Sequence, residues 1–149
     1  VQKYMNRISG PLLDRIDLQV EIFPVPFDEL ASATPGESSS AIRERVTAAR
    51  LVQAERYRDE PGVFCNAQMN SRLLNTYARP EGESLSVLRD AMTRFDMSAR
   101  AYDRILKVAR TIADLAGEPR ILPAHIREAI SYRNLDRSTW GQSATKTPF

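Results

Sequence analysis

Guanidinium groups offer most of the chemistry in this sequence. Of its 21 basic residues only Lys3, Lys107 and Lys146 are lysines, and the planar fork of arginine matches phosphate oxygens in a way that a lysine ammonium does not. Position singles out two of these arginines. Arg15 lies in Arg-Ile-Ser-Gly-Pro-Leu-Leu-Asp-Arg-Ile-Asp, residues 7–17, directly before a run that alternates apolar and polar side chains. Arg100 follows Ser98, a residue suited to cap a helix, and so falls in the first turn of a helix whose N-terminus already carries partial positive charge. An arginine there costs the helix a little stability and makes sense if it faces an anion such as a nucleotide phosphate. The competing readings are bland ones: Arg15 pairs with Asp14 or Asp17 on a turn, and Arg100 is solvated like Arg104 and Arg110 further along the same face.

The remaining candidates carry less. His125, the only histidine, sits in the first turn of a helix with no histidine or cysteine at ligand spacing, which argues against a zinc site. Cys65, the only cysteine, has no basic neighbour in sequence to activate it and reads as a small buried residue. The arginines between residues 43 and 58 are offset by acidic neighbours, so they read as a solvated face before a surface for DNA phosphates. Trp140, in the tail, has no physical case for a role beyond a possible contact with a neighbouring subunit.

Helices must position these residues. Asp-Leu-Gln-Val-Glu-Ile-Phe, residues 17–23, places Leu18, Val20 and Ile22 on one face and predicts a strand, stopped by Pro24 and Pro26. No second strand of comparable clarity follows to pair with it. Residues 31–40 are small and polar around Pro35-Gly36, the composition of a connector. A helix is expected from Ser40 to about Arg58, a loop and short helix over 63–83, and a short amphipathic helix from Ser84 to Phe95 through Leu85, Leu88, Met92 and Phe95. The clearest element runs from Ser98 to Gly117, with Tyr102, Ile105, Ala109, Ile112 and Ala116 inward and Asp103/Lys107 and Arg110/Asp114 as one-turn charge pairs on its surface. A last helix begins near Pro123 and turns Ile126, Ala129, Ile130 and Tyr132 inward. The tail beyond Arg137 reads as loose.

Bulk composition narrows the class without naming a function. The chain has 149 residues, 42% hydrophobic and 27% charged, with a formal net charge of +2. That is a globular composition, long enough for a core and too nearly balanced to argue for nucleic acid or an anionic membrane. A lone cysteine excludes an internal disulfide and suits a reducing cytosol, and no apolar run approaches the length of a membrane span. Opening on Val1 in the middle of what reads as a working motif, the sequence looks like a piece of a longer protein.

Residues 7–17 resemble the stretch that precedes the last sheet strand in AAA+ ATPases of the magnesium-chelatase and MCM group, where Leu-Leu-x-Arg-aromatic/aliphatic-Asp holds the arginine finger. Residues 98–117, followed by His125-Ile126-Arg127-Glu128-Ala129-Ile130 and Tyr132-Arg133, resemble the helical lid of the ComM/YifB-type members of that group. The resemblance implies a mainly α fold: a C-terminal helical lid of about four helices (41–137), preceded by the end of the α/β core with a remnant strand (1–30) and a linker (31–40), and followed by a flexible tail (138–149). It makes Arg15 the finger acting in trans, Arg100 the sensor 2 residue, within its own subunit or across the interface, and Arg104 a lesser nucleotide-binding candidate. It further implies ATP and Mg²⁺ as cofactors of the full-length protein, assembly into a hexameric ring, DNA as partner, a cytoplasmic location, no membrane, and a helicase or branch-migration role in competence. The sequence departs from a complete ATPase. None of its six glycines is followed by lysine, so Walker A is missing, and the only Asp-Glu that follows an apolar run, Asp28-Glu29, comes after Pro24 and Pro26, which break the strand a Walker B carboxylate needs. Sensor 1 would lie upstream, and this piece alone is not expected to hydrolyse ATP. The alternative is a stand-alone helical module that binds nucleic acid or protein without any ATP role.

Overall fold

The computed structural model describes residues 12, 15–20, 22, 24–27 and 36–133. Readings that concern the opening segment 1–11, the connector at 31–35, and the tail with Trp140 lie outside them. Among the described residues are α1 (Ser39–Arg56), a 3₁₀ turn (Asn66–Gln68), α2 (Ser71–Tyr77), α3 (Gly82–Arg94), α4 (Ala99–Leu115) and α5 (Pro123–Ser131). The mainly helical class expected from the sequence is what is found.

Local chemistry sets most boundaries. Ser38, Asn70 and Ser98 each accept a hydrogen bond from the amide three residues on, capping α1, α2 and α4. The cap of α1 is therefore Ser38 and not Ser40, and Ser39 and Ser40 of the expected connector are already helical. Helix α4 ends where Gly117 adopts φ +71°, while the Glu118 amide donates back to the Ala113 carbonyl at 2.8 Å. At α5, Pro123 occupies the first turn, where its missing N–H costs nothing, and His125 Nδ1 accepts the Leu122 amide at 3.1 Å. His125 is thus a buried capping residue.

Helix α4 is the axis of the molecule. Ile105, Leu106, Ala109 and Ala113 from it meet Leu73 and Leu74 of α2, Leu88 and Ala91 of α3, and Ile126, Ala129 and Ile130 of α5, with Tyr57 and Met69 closing the cluster. The inward face of α4 is rotated from the expected one: Leu106 and Ala113 are buried, Tyr102 and Ile112 sit at its margin, and Ala116 is exposed. On α3, Leu88 is buried, but Leu85 and Phe95 are exposed, and Ser84 lies inside, its hydroxyl donating to the Ile121 carbonyl at 2.8 Å.

The strand expected at 17–23 is not formed among the described residues. Leu18, Val20 and Ile22 are all exposed, because a strand exists only where another backbone completes its hydrogen bonds. The Gln19 amide donates instead to the Tyr132 carbonyl at the end of α5, at 2.7 Å.

Candidate functional site

Arg15 lies in a turn, its amide donating to the Leu12 carbonyl at 3.0 Å. Its side chain is exposed and forms no ion pair with any described residue. The alternative pairing with Asp17 is therefore not realised, and Asp14, the other partner considered, lies outside the described residues. Arg100, the second residue of α4, is likewise exposed without an ion pair among the described residues. It adds a full charge to the positive end of the helix dipole, a combination that attracts an anion from outside the chain.

Arg104, the lesser candidate, forms a hydrogen-bonded ion pair with Asp17. Because Arg100 and Arg104 are four residues apart they share one face of α4, and Arg104 bonds the segment just two residues beyond Arg15. The fold thus brings the stretch bearing Arg15 against the helix bearing Arg100. Arg133 adds a bond to the Ile16 carbonyl at 2.8 Å.

Sequence reasoning missed a second cluster, in the interior. The Asp114 side chain is 0% exposed and lies between two guanidinium groups. Arg56 donates to both carboxylate oxygens at 2.5 and 2.8 Å, Arg110 Nε donates at 3.0 Å and Asn66 Nδ2 at 2.8 Å. Asn66 Oδ1 in turn accepts from Arg56 and the Tyr57 hydroxyl, and its backbone amide donates to Gln53 Oε1. The remaining Arg110 donors go to the carbonyls of Glu118 and Pro119. Burial pushes the Asp114 carboxyl up, but the hydrogen bonds from Arg56 and Asn66 and the charges of both arginines outweigh it, holding the group below its ordinary value. With its donors and acceptors engaged, this cluster joins α1, the 3₁₀ turn, α4 and the loop after α4; it offers nothing to a substrate. The expectation of Arg110/Asp114 as a surface pair, and of Arg56 as part of a solvated face, is corrected. The signal was present: Leu106, Ala109, Arg110, Ala113 and Asp114 follow the spacing of one helix stripe.

Elsewhere, four exposed arginines are matched by acids, Arg45 with Glu37, Arg58 with Glu55, Arg72 with Glu60 and Arg127 with Glu83, while Arg43, Arg50, Arg79, Arg89, Arg94 and Arg120 are exposed without an ion pair among the described residues. A surface cleft of about 590 Å³ mixes Arg79 and Arg120 with Glu81 and Glu83, so it has no single sign of charge to draw phosphate. Cys65 is half-buried and neighbours Gln68 Oε1 at 3.5 Å. No group of residues suited to a metal is found among the described residues, and no described helix is long and apolar enough to cross a membrane.

Comparison with known proteins agrees with the helical fold. Residues 36–133 match the family described as magnesium chelatase, subunit ChlI C-terminal, and residues 1–30 match magnesium chelatase, subunit ChlI. The chain is 39% identical over 138 residues to the competence protein ComM of Haemophilus influenzae, covering 92% of this chain and 26% of that protein. To the uncharacterised YifB of Escherichia coli it is 42% identical over 137 residues, covering 91% and 26%. An uncharacterised Mycobacterium bovis protein is 39% identical over 132 residues, covering 89% and 26%. The chain therefore spans about a quarter of the length of these relatives. Its helices, its opening motif and these matches together establish that the chain belongs to the magnesium chelatase subunit ChlI C-terminal family, as the part shared with ComM- and YifB-type proteins.

Proposed function

We propose that this chain is the C-terminal part of an ATP-dependent AAA+ motor and supplies arginines to nucleotide bound at subunit interfaces of a ring. Arg15 is the arginine finger, reaching the γ-phosphate of a neighbouring subunit, and Arg100 is sensor 2. The observation that carries the reading is that both guanidinium groups are exposed and without an ion pair among the described residues, while Arg104 joins the segment of one to the helix of the other. In phosphoryl transfer, charge grows on the γ-phosphate oxygens, and a guanidinium aimed there stabilises it without any covalent step. ATP and Mg²⁺ fit this chain only in part. The arginines suit the phosphates, whereas no glycine-lysine loop to hold the nucleotide occurs in the 149-residue sequence. In the whole protein the reading extends to a hexamer, DNA as the remodelled partner and a cytoplasmic location, and to a role in competence, the one of these that a relative's name carries.

ATP turnover by the intact protein tests it. Arg15→Ala lowers turnover by ~10³-fold or more, as loss of an arginine finger does elsewhere. Mixing these subunits with subunits unable to bind nucleotide restores activity at interfaces that combine one good finger with one good site. Undiminished turnover in Arg15→Ala sinks the finger assignment. A stand-alone nucleic-acid module, the rival reading, would bind DNA with steep salt dependence. The near balance of 21 basic and 19 acidic residues argues against it, and weak or no retention of DNA by this chain is the expected result.

A further inference from the structure

Residues 15–20 contribute nothing to the hydrophobic core, whose members run from Tyr57 to Ile130. Polar bonds hold the segment in place: Arg104 to Asp17, Arg133 to the Ile16 carbonyl and the Gln19 amide to the Tyr132 carbonyl. They come from the middle of α4 and the end of α5, far apart in sequence from the segment they hold. The Arg104 and Asp17 side chains are 32% and 40% exposed, and a pair this wet contributes little to global stability. Its effect is geometric: it fixes where a short, otherwise unpacked stretch sits, and Arg15 stands two residues before the anchored carboxylate.

We propose that Arg104 and Asp17 form a positioning latch: Arg104 acts not on nucleotide but on Asp17, setting the placement of the segment from which Arg15 projects and coupling it to the helix that carries Arg100. For its effect on turnover the latch rests on the finger reading; as a physical contact it does not. Because a guanidinium that must meet developing charge loses effect with small displacements, loosening the latch lowers the rate of the chemical step while leaving ground-state nucleotide binding alone.

The experiment uses the intact protein with Asp17→Asn, Arg104→Gln and the double variant, read by hydrogen exchange over residues 15–20 and by steady-state ATP turnover. Each single variant is expected to speed exchange in 15–20 without altering exchange in α2, α3 or α5. Each lowers kcat by about tenfold or more with KM for ATP held within about twofold. The double variant is no worse than the singles, because both remove the same bond. Unchanged exchange in 15–20 for Arg104→Gln overturns the latch, as do losses that multiply in the double variant. A raised KM with intact kcat does so too, since it would place Arg104 on the nucleotide. Should Arg15→Ala turn over ATP normally, the finger reading fails by itself, and the exchange result alone decides the latch.

Discussion

Asp114 sets one buried negative charge against two guanidinium groups, and the excess is spread over the carbonyls of Glu118 and Pro119 and the amide oxygen of Asn66. Such a cluster is costly to break from one side, because the groups left behind are charged and dry. Asp114→Asn is expected to destabilise the chain by roughly 3–5 kcal/mol, measured by urea unfolding at neutral pH; a loss below about 1 kcal/mol would mean that water already reaches the arginines. The same residue shapes the acid side of the stability curve. Its carboxyl is held below the ordinary 3.8 in the folded state, so its contribution is fully present above that value and is lost as pH falls through the folded one. Stability measured from pH 5 downward therefore falls less steeply in Asp114→Asn than in the parent. By contrast, Arg15 and Arg100 face outward, and their value depends on what they meet outside this chain.

Helix ends show how local chemistry is written into sequence. Ser98 and Gly117 bound α4 where a serine cap and a left-handed glycine were expected, and Pro123 opens α5. At Gly117 a Cβ would meet nothing within 4 Å, but φ is +71°, so the cost of a side chain there is conformational alone. Gly117→Ala is expected to lower stability by about 1 kcal/mol, read as a shift in urea midpoint with unchanged slope. The inward faces were read less well. Ile105, Ala109, Leu88, Ile126 and Ala129 are buried as expected, whereas Leu85, Phe95 and Ala116 are not, and Ser84, Arg110 and Asp114 took inward places. Apolar periodicity finds a stripe but cannot tell which polar residues share it, because that depends on the partners waiting on neighbouring elements.

At the scale of the molecule, the core and the buried polar cluster both lie within residues 36–133, the span that matches the C-terminal chelatase family. A chain limited to these residues is expected to be helical by circular dichroism and to unfold in a single thermal transition; a broad, non-cooperative melt would show that the preceding segment is part of the core. The stretch before it behaves differently. Arg15 to Val20 rests on the helical body through polar bonds, and its alternating apolar residues remain exposed. That pattern belongs to a segment whose structure needs a second backbone.

The sequence alone determined the helical class, the main helix boundaries and the resemblance that singled out Arg15 and Arg100, because caps, glycine φ and motif spacing are local properties of the chain. Only the tertiary structure decided that Arg104 bonds Asp17 across 87 positions, that Asp114 lies inside with Arg56 and Arg110, and that residues 17–20 run without a strand partner among the described residues. Each of those depends on groups distant in sequence coming within hydrogen-bonding reach, which no local pattern of residues encodes.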